Sequence, residues 1–337
     1  AVNLAPSRRT LIIQPLPGIG DMVWHLPHLH AIAATTVSGR IDLLTKPRSQ
    51  TDRLLCADST VERVLWLDRA AAHAGMRGLL RLTTLLRQGG YQRVWILHGS
   101  ARYALAALLA GIPERIGYGV GWQTALLNGP VRLPPELRHT HPIQRADALL
   151  DLLNIPCAEP EPLLQIAAEA DQAVTERFAA WPLPWIALGI GSSEPWKQWG
   201  AVRFAELALA LHQQQAGSIF IVGGSAERAL ADELLTRIHA SGGQAADAVA
   251  SPLEQTAALL ARCRAYLGND TGVLNMAAAL QTPAFGLFGG SQPLWHSCFI
   301  YPITPPESEA GMAGITVPQV LDRYLQLGQL HAHQDGR

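Results

Sequence analysis

TLIIQPLPGIGDMVWHLPHLHAIAAT, residues 10–35, passes from a short apolar run through a Pro- and Gly-bearing turn into a helical stretch. Residues 10–14 read as a buried strand, 15–20 as the turn, and 21–35 as a helix. The same alternation continues through the first half. Residues 40–44, 61–67 and 93–97 read as strands, and 79–88 and 101–110 as helices. Strands alternating with helices predict a parallel sheet covered on both faces.

Residues 154–184 break the pattern. Pro156, Pro160 and Pro162 interrupt periodicity, a short helix at 170–180 follows, and Trp181-Pro182-Leu183-Pro184-Trp185 closes the stretch. This region is expected to connect two domains. A second series then begins, with strands at 185–189, 218–222, 265–267 and 283–288. Its helices are at 202–213, 226–241, 253–262, 271–280 and 317–327. The expected fold is α/β, with two doubly wound, Rossmann-like domains and a cleft between them. They span residues 1–165 and 166–315, and a closing helix at 316–330 is expected to pack back toward the first domain. Doubly wound sheets bind ligands beyond the carboxyl ends of their strands, so the informative residues are those in post-strand loops.

Composition narrows the function classes. The chain has 337 residues, 48% of them hydrophobic and 16% charged, enough to fill two cores and unlike a disordered chain. A net charge of −1 gives no basic excess, so a nucleic-acid partner is not expected. No apolar run is long enough to predict a membrane span, and the first residues do not read as a secretion signal. Cys56, Cys157, Cys263 and Cys298 are far apart and form no CxxC pair, which suits reduced thiols in a cytoplasmic protein. His25, His28 and His30 lack the i, i+4 spacing of a zinc helix, and no metal is expected.

Four loops carry candidate chemistry. In the first, Pro17-Gly18-Ile19-Gly20-Asp21, Gly18 and Gly20 allow the backbone to approach a ligand. It is neither a GxGxxG fingerprint nor a P-loop. Asp21 can be a helix N-cap, or a carboxylate that takes a proton from an attacking hydroxyl. In the second, Ser192, Ser193 and Lys197 can contact a phosphate or remain a solvated loop held by Trp196 and Trp199. In the third, Asp270, Thr271 and Gly272 open a helix whose free amides suit an anion, although Asp270 can also cap it. In the fourth, Gly223-Gly224-Ser225-Ala226-Glu227, the carboxylate can hold ribose hydroxyls or favour the helix start.

Together these segments resemble glycosyltransferase family 9, the heptosyltransferases. GIGDMVWHLPHLHAI is similar to the family's glycine loop ending in Gly-Asp, and AGIPERIGYG to its Arg-Ile-Gly stretch. PWKQWGAVRFAELA is similar to its Lys-x-Trp motif, and GGSAERALADEL to its Gly-Gly-x-x-Glu helix start. LGNDTGVLNMAAALQTPAFGLFGGSQP resembles its Asp-Thr-Gly block with the following Leu-Phe-Gly, and GMAGITVPQVLDRYLQL its closing helix. The matches run in order from about residue 10 to residue 327. The resemblance implies a GT-B fold and metal-independent, inverting transfer from an ADP-linked sugar, heptose by default, to a glycan or lipopolysaccharide-type acceptor. The nucleotide sugar is then a substrate and no cofactor is needed.

The resemblance also implies roles. Asp21 is the base, Lys197, Ser192 and Ser193 hold the diphosphate, Glu227 holds the ribose, and Asp270, Thr271 and Gly272 meet the donor phosphates and sugar. Arg48, Arg102, Arg115 and Arg145 are candidates for a phosphorylated acceptor. The expected location is the cytoplasm, at the inner face of the bacterial inner membrane, with peripheral membrane contact at most. The sequence departs from the family in three places. Val273-Leu274-Asn275 replaces Pro-Met-His, which makes Asn275 an altered donor contact. His98 ends a strand that usually ends in Asp-x-Gln, and Gly311 stands where a Cys is usual. Two rivals remain, a nucleotide-sugar epimerase or hydrolase and a non-catalytic paralogue that binds a nucleotide sugar.

Overall fold

The computed structural model describes residues 4–67, 73–214 and 217–334, with side chains to residue 326. The chain divides into two compact units, Ala1–Leu164 and Gln165–Arg337. In the first unit the strands are β1 (Thr10–Ile13), β2 (Ile41–Thr45), β3 (Val61–Trp66), β4 (Arg93–Ile96) and β5 (Glu114–Gly117). The helices are α1 (Ile19–Trp24), α2 (Leu26–Ala34), α3 (Thr51–Leu54), α4 (Gly75–Gly89), α5 (Ala101–Leu109), α6 (Gln123–Leu126) and α7 (Pro142–Leu152). The sheet is parallel throughout, in the order β3-β2-β1-β4-β5. Leu11, Ile13, Val94 and Ile96 pack from the central strands against Leu82 and Leu86 of α4 and Ala104 and Ala107 of α5.

In the second unit the strands are β6 (Trp185–Gly189), β7 (Ser218–Val222), β8 (Ala246–Asp247), β9 (Cys263–Asn269), β10 (Ala284–Leu287) and β11 (Ile300–Ile303). The helices are α8 (Ala168–Arg177), α9 (Ala201–Gln214), α10 (Arg228–Ala240), α11 (Leu253–Arg262), α12 (Gly272–Ala279) and α13 (Val317–Gln334). Here the order is β11-β10-β9-β6-β7-β8, again all parallel. Both sheets wind outward from their first strand in two directions. Each therefore has a switch point where neighbouring loops diverge, between β1 and β4 and between β6 and β9, and such crevices receive ligands.

Several elements differ from the sequence reading. The helix expected over 21–35 starts earlier and is broken at His25. Pro27 has no N–H to give the Val23 carbonyl, so α1 stops after six residues and α2 restarts on a new axis. β5 escapes the pattern because Glu114 and Arg115 lead an edge strand. β11 escapes because Pro302 lies inside it, which an edge strand bonded only to β10 tolerates. Within the expected connection at 154–184, α8 belongs to the second unit. It packs on α11, and Arg262 Nε bonds Asp171 Oδ1 at 2.7 Å. The closing helix is part of the second unit. Val320 and Tyr324 are buried with Phe285 and Trp199, because the apolar side of α13 matches that of α9. Among the described residues no helix is long and apolar enough to cross a membrane.

Candidate functional site

Asp21 sits at the carboxyl end of β1. Because α1 begins at Ile19, Asp21 is its third residue and not its N-cap, which is Gly18. The carboxylate turns back and accepts the Gly18 N–H at Oδ2, 2.8 Å away. The other end of the residue is fixed as well. As α1 stops at Trp24, its late carbonyls need partners from outside the helix. The Asp21 carbonyl receives the His25 Nδ1–H at 2.7 Å and the Gln14 Nε2–H at 3.2 Å. Gln14 and His25 are fully buried, and burial pushes the His25 pKa down to about 3, so its imidazole is neutral. Burial raises the Asp21 carboxyl above the ordinary carboxylate range. The Gly18 amide and the charges of His141 and Arg48 oppose that rise without cancelling it. The half-buried Asp21 is thus held in place from both sides, with raised proton affinity.

Basic groups surround it. Arg48, from the turn after β2, bears on Asp21. His141 caps α7, accepting the Ile143 N–H, and its ring lies 4.9 Å from that of Trp24. Arg145, one turn along α7, lies over the Tyr118 ring at 5.4 Å. Burial lowers the proton affinities of His98 and His141, and Arg145 lowers both further. Lys46 adds to the effect at His98. Of the four arginines proposed for the acceptor, Arg48 and Arg145 belong to this group and the other two do not. Arg102 binds the carbonyls of His73 and Gly75, tying α5 to the start of α4. Arg115 binds the carbonyls of Leu126 and Ile112 at 2.9 and 2.7 Å, bracing the loop behind β5. Both guanidinium groups are committed to backbone.

The second unit gathers its candidates at its own switch point. Asn269, the fully buried last residue of β9, organises them. Its Nδ2 donates to Ile190 O at 3.2 Å, Gly191 O at 3.0 Å and Gln198 Oε1 at 3.1 Å, while Oδ1 accepts the Trp199 N–H at 3.3 Å. The loop after β6 is thereby fastened to the end of β9. Lys197 Nζ bonds Asp270 Oδ2 at 2.8 Å, lies 5.2 Å from the Trp196 ring centroid, and is only partly exposed. It is therefore not a solvated surface lysine. Ser291, from the loop after β10, donates to the same Asp270 oxygen at 2.8 Å. Ser192 donates to Glu194 O at 2.5 Å, and Ser193 is exposed. Glu227 Oε2 accepts the Gly224 N–H at 2.7 Å, as Asp21 does for Gly18, and stands beside Gly191.

Thr271 is the N-cap of α12 and contributes no side-chain cap, so Gly272 and Val273 begin the helix with their N–H groups toward the loop. Asn275 is buried, and its Nδ2 donates to the Thr271 carbonyl at 3.1 Å. The loops after β6, β7, β9 and β10 thus converge on one end of one sheet. The Lys197 ammonium, the hydroxyls of Ser192, Ser193 and Ser291 and the start of α12 lie at that end.

Sequence reasoning missed Gln14, His25, Lys46, His141, Asn269 and Ser291. Gln14 and His25 act on the Asp21 carbonyl, His141 caps a helix that was not foreseen, and Lys46, Asn269 and Ser291 act through contacts distant in sequence. Asn269 alone carried a signal, being a buried polar residue at a strand end beside an assigned loop.

Two Rossmann-like units, each with its polar groups collected at the carboxyl ends of a parallel sheet, define a protein of the GT-B class. The chain belongs to glycosyltransferase family 9 (heptosyltransferase), whose model matches residues 79–305. Lipopolysaccharide heptosyltransferase 2 of Salmonella typhimurium is 29% identical over 224 residues, covering 63% of this chain and 64% of that protein. The chain thus spans just under two thirds of the length of that curated relative. Among solved structures, a family 9 glycosyl transferase from Veillonella parvula has a TM-score of 0.79 at 18% identity, covering 95% of this chain and 97% of the other. An Escherichia coli protein described as ADP-heptose lps heptosyltransferase II has a TM-score of 0.76 at 22% identity, covering 96% and 99%. These two share the fold.

Proposed function

We propose that this protein transfers a heptose from an ADP-linked donor to a hydroxyl of a lipopolysaccharide-core type acceptor, with inversion and without a metal. The observation that carries the reading is the Asp21 carboxylate, clamped by Gly18, Gln14 and His25 and raised in proton affinity by burial. Family membership and the descriptions of the relatives support the donor and the acceptor class.

In the proposed step, Asp21 takes the acceptor hydroxyl proton as that oxygen forms its bond to the anomeric carbon. The bond from that carbon to the diphosphate breaks, and ADP leaves with the electron pair. Lys197 and the amides at Thr271–Gly272 offset the charge that grows on the diphosphate, and Ser192 and Ser193 supply hydroxyl contacts. Glu227 has an oxygen not bound by Gly224 and holds the ribose. Asp270 keeps Lys197 extended until phosphate competes for it. On the acceptor side, Arg48, Arg145 and Lys46 suit an anionic group close to the attacked hydroxyl. The protein works in the cytoplasm, at the inner face of the bacterial inner membrane.

Incubating the protein with ADP-heptose and a heptose-deficient core acceptor tests this reading. Acceptor-dependent release of ADP is the expected result. Release or isomerisation of the donor at the same rate without acceptor identifies a hydrolase or epimerase, and donor binding without turnover identifies a binding protein.

A further inference from the structure

The loop after β6 carries two tryptophans in different surroundings. Trp199 is buried, and its indole N–H donates to the Ile315 carbonyl at 2.9 Å. Trp196 stands in the single turn Pro195–Lys197 and is 53% exposed. Core packing accounts for the first and not for the second, because a large ring left in water forgoes the burial a tryptophan usually provides. The exposed ring is nonetheless held in a definite place. A Cβ at residue 290 would stand 3.0 Å from its Cζ3 and 3.1 Å from its Cε3, so Gly290 gives the indole room against the loop after β10. The Lys197 ammonium lies 5.2 Å from the ring centroid. Ser291, next to Gly290, donates to the same Asp270 oxygen that Lys197 bonds.

We infer that Trp196 is the platform on which the transferred sugar of the donor stacks, and is therefore a residue that determines donor specificity. The inference rests on the donor reading above. Sheet order decides which part of the donor meets the ring. The strands lie in the order β10-β9-β6-β7. The ribose contact, Glu227, follows β7, and the diphosphate contacts, Lys197 and the start of α12, follow β6 and β9. A donor laid along these loops points its sugar toward the loop after β10, where Trp196 meets Gly290. The sugar is also joined through one oxygen to the phosphate whose charge Lys197 offsets, which brings it to a ring only 5.2 Å from that ammonium. A pyranose turns a face of C–H groups to the electron-rich face of an indole and keeps its hydroxyls for the polar groups nearby. The adenine lies at the other end of the donor, beyond Glu227.

The test is calorimetry of the full chain with ADP-heptose and with ADP. Covering roughly 60 Å² of apolar ring is equivalent to about tenfold in affinity. Trp196→Ala should therefore bind ADP-heptose about tenfold more weakly than the parent does. Its affinity for ADP should stay within about threefold, the effect of removing a ring beside Lys197, and that retained binding shows the site is folded. Trp196→Phe keeps an aromatic face and should bind ADP-heptose within about threefold of the parent. Equal losses for the two ligands overturn the inference and assign the ring to the nucleotide or to the fold. Undiminished ADP-heptose binding in Trp196→Ala overturns it as well, as does a Phe variant as weak as the Ala one. Each of these results leaves the donor reading standing. A parent that binds ADP but not ADP-heptose removes that reading, and the platform with it.

Discussion

Replacing Gly18 by Ala separates the position of the Asp21 carboxylate from the stability of the fold. Gly18 has φ −82° and ψ 152°, a conformation alanine adopts readily, so the backbone accepts the change. The difficulty lies in the side chain. A Cβ at residue 18 would stand 2.7 Å from Asp21 Oδ2, where ordinary contact needs well over 3 Å. The obstructing atom is the tip of a rotatable side chain, so rotating the carboxylate away relieves the clash. That rotation gives up the 2.8 Å hydrogen bond from the Gly18 amide and moves the base by roughly half an ångström or more. The lost bond is partly exposed, so the cost in stability should stay near 1 kcal/mol. A displacement of about 1 Å at a reacting group can cost about a hundredfold in rate. Gly18→Ala should therefore lower kcat tenfold to a hundredfold, as roughly estimated from that sensitivity, with ADP affinity intact. Coupled detection of ADP release gives kcat, calorimetry gives ADP affinity, and thermal melting gives stability. Full activity in this variant would refute the reasoning, as would a rate loss matched by collapse of the fold.

Lys197→Ala should weaken ADP binding about tenfold by calorimetry, since one charge-assisted phosphate contact is removed. Unchanged affinity would leave Lys197 as nothing more than the partner of Asp270. The raised proton affinity of Asp21 places the acid limb of the kcat/KM profile above the range of an ordinary carboxyl, with activity lost as pH falls through it. The same limb in a variant lacking Asp21 would assign it to another group. His30 makes a third prediction. It bridges Asp58 and Glu159 through bonds of 2.7 Å at each ring nitrogen. Burial alone would lower its pKa, but the two carboxylates overrule that and raise it from 6.5 to about 9. The stabilisation, about 3 kcal/mol at most, is full below pH 6.5 and lost as pH rises through about 9. His30→Gln should lower Tm most at about pH 6 and least at about pH 9.5, and a gap independent of pH would deny the ion pairing.

Much of the fold could be read from the sequence because parallel strands buried on both faces are continuous apolar runs. TLII, RVWI and SIFIV all read that way. Elements set by their neighbours could not be read. β5 begins with two charged residues and β11 contains a proline, and each exists because an adjacent strand offers its edge. The loops of the candidate site were legible as glycine turns with polar residues. The roles of those residues were less so. The helix start at Ile19 decides that Asp21 caps from inside the first turn, and the break enforced by Pro27 brings His25 back to its carbonyl. Arg102 and Arg115 looked the same as Arg48 and Arg145 in sequence. Only backbone carbonyls distant in the chain distinguish them.

The central claim is that Asp21 accepts the proton of the attacking hydroxyl. Asp21→Asn keeps the shape of the side chain and an oxygen for the Gly18 amide while removing the basic group, so the direct measurement is kcat of this variant with saturating ADP-heptose and acceptor. A fall of about 10²- to 10⁴-fold with undiminished ADP binding is the predicted result. Turnover within about tenfold of the parent, well short of what loss of a general base costs, would contradict it.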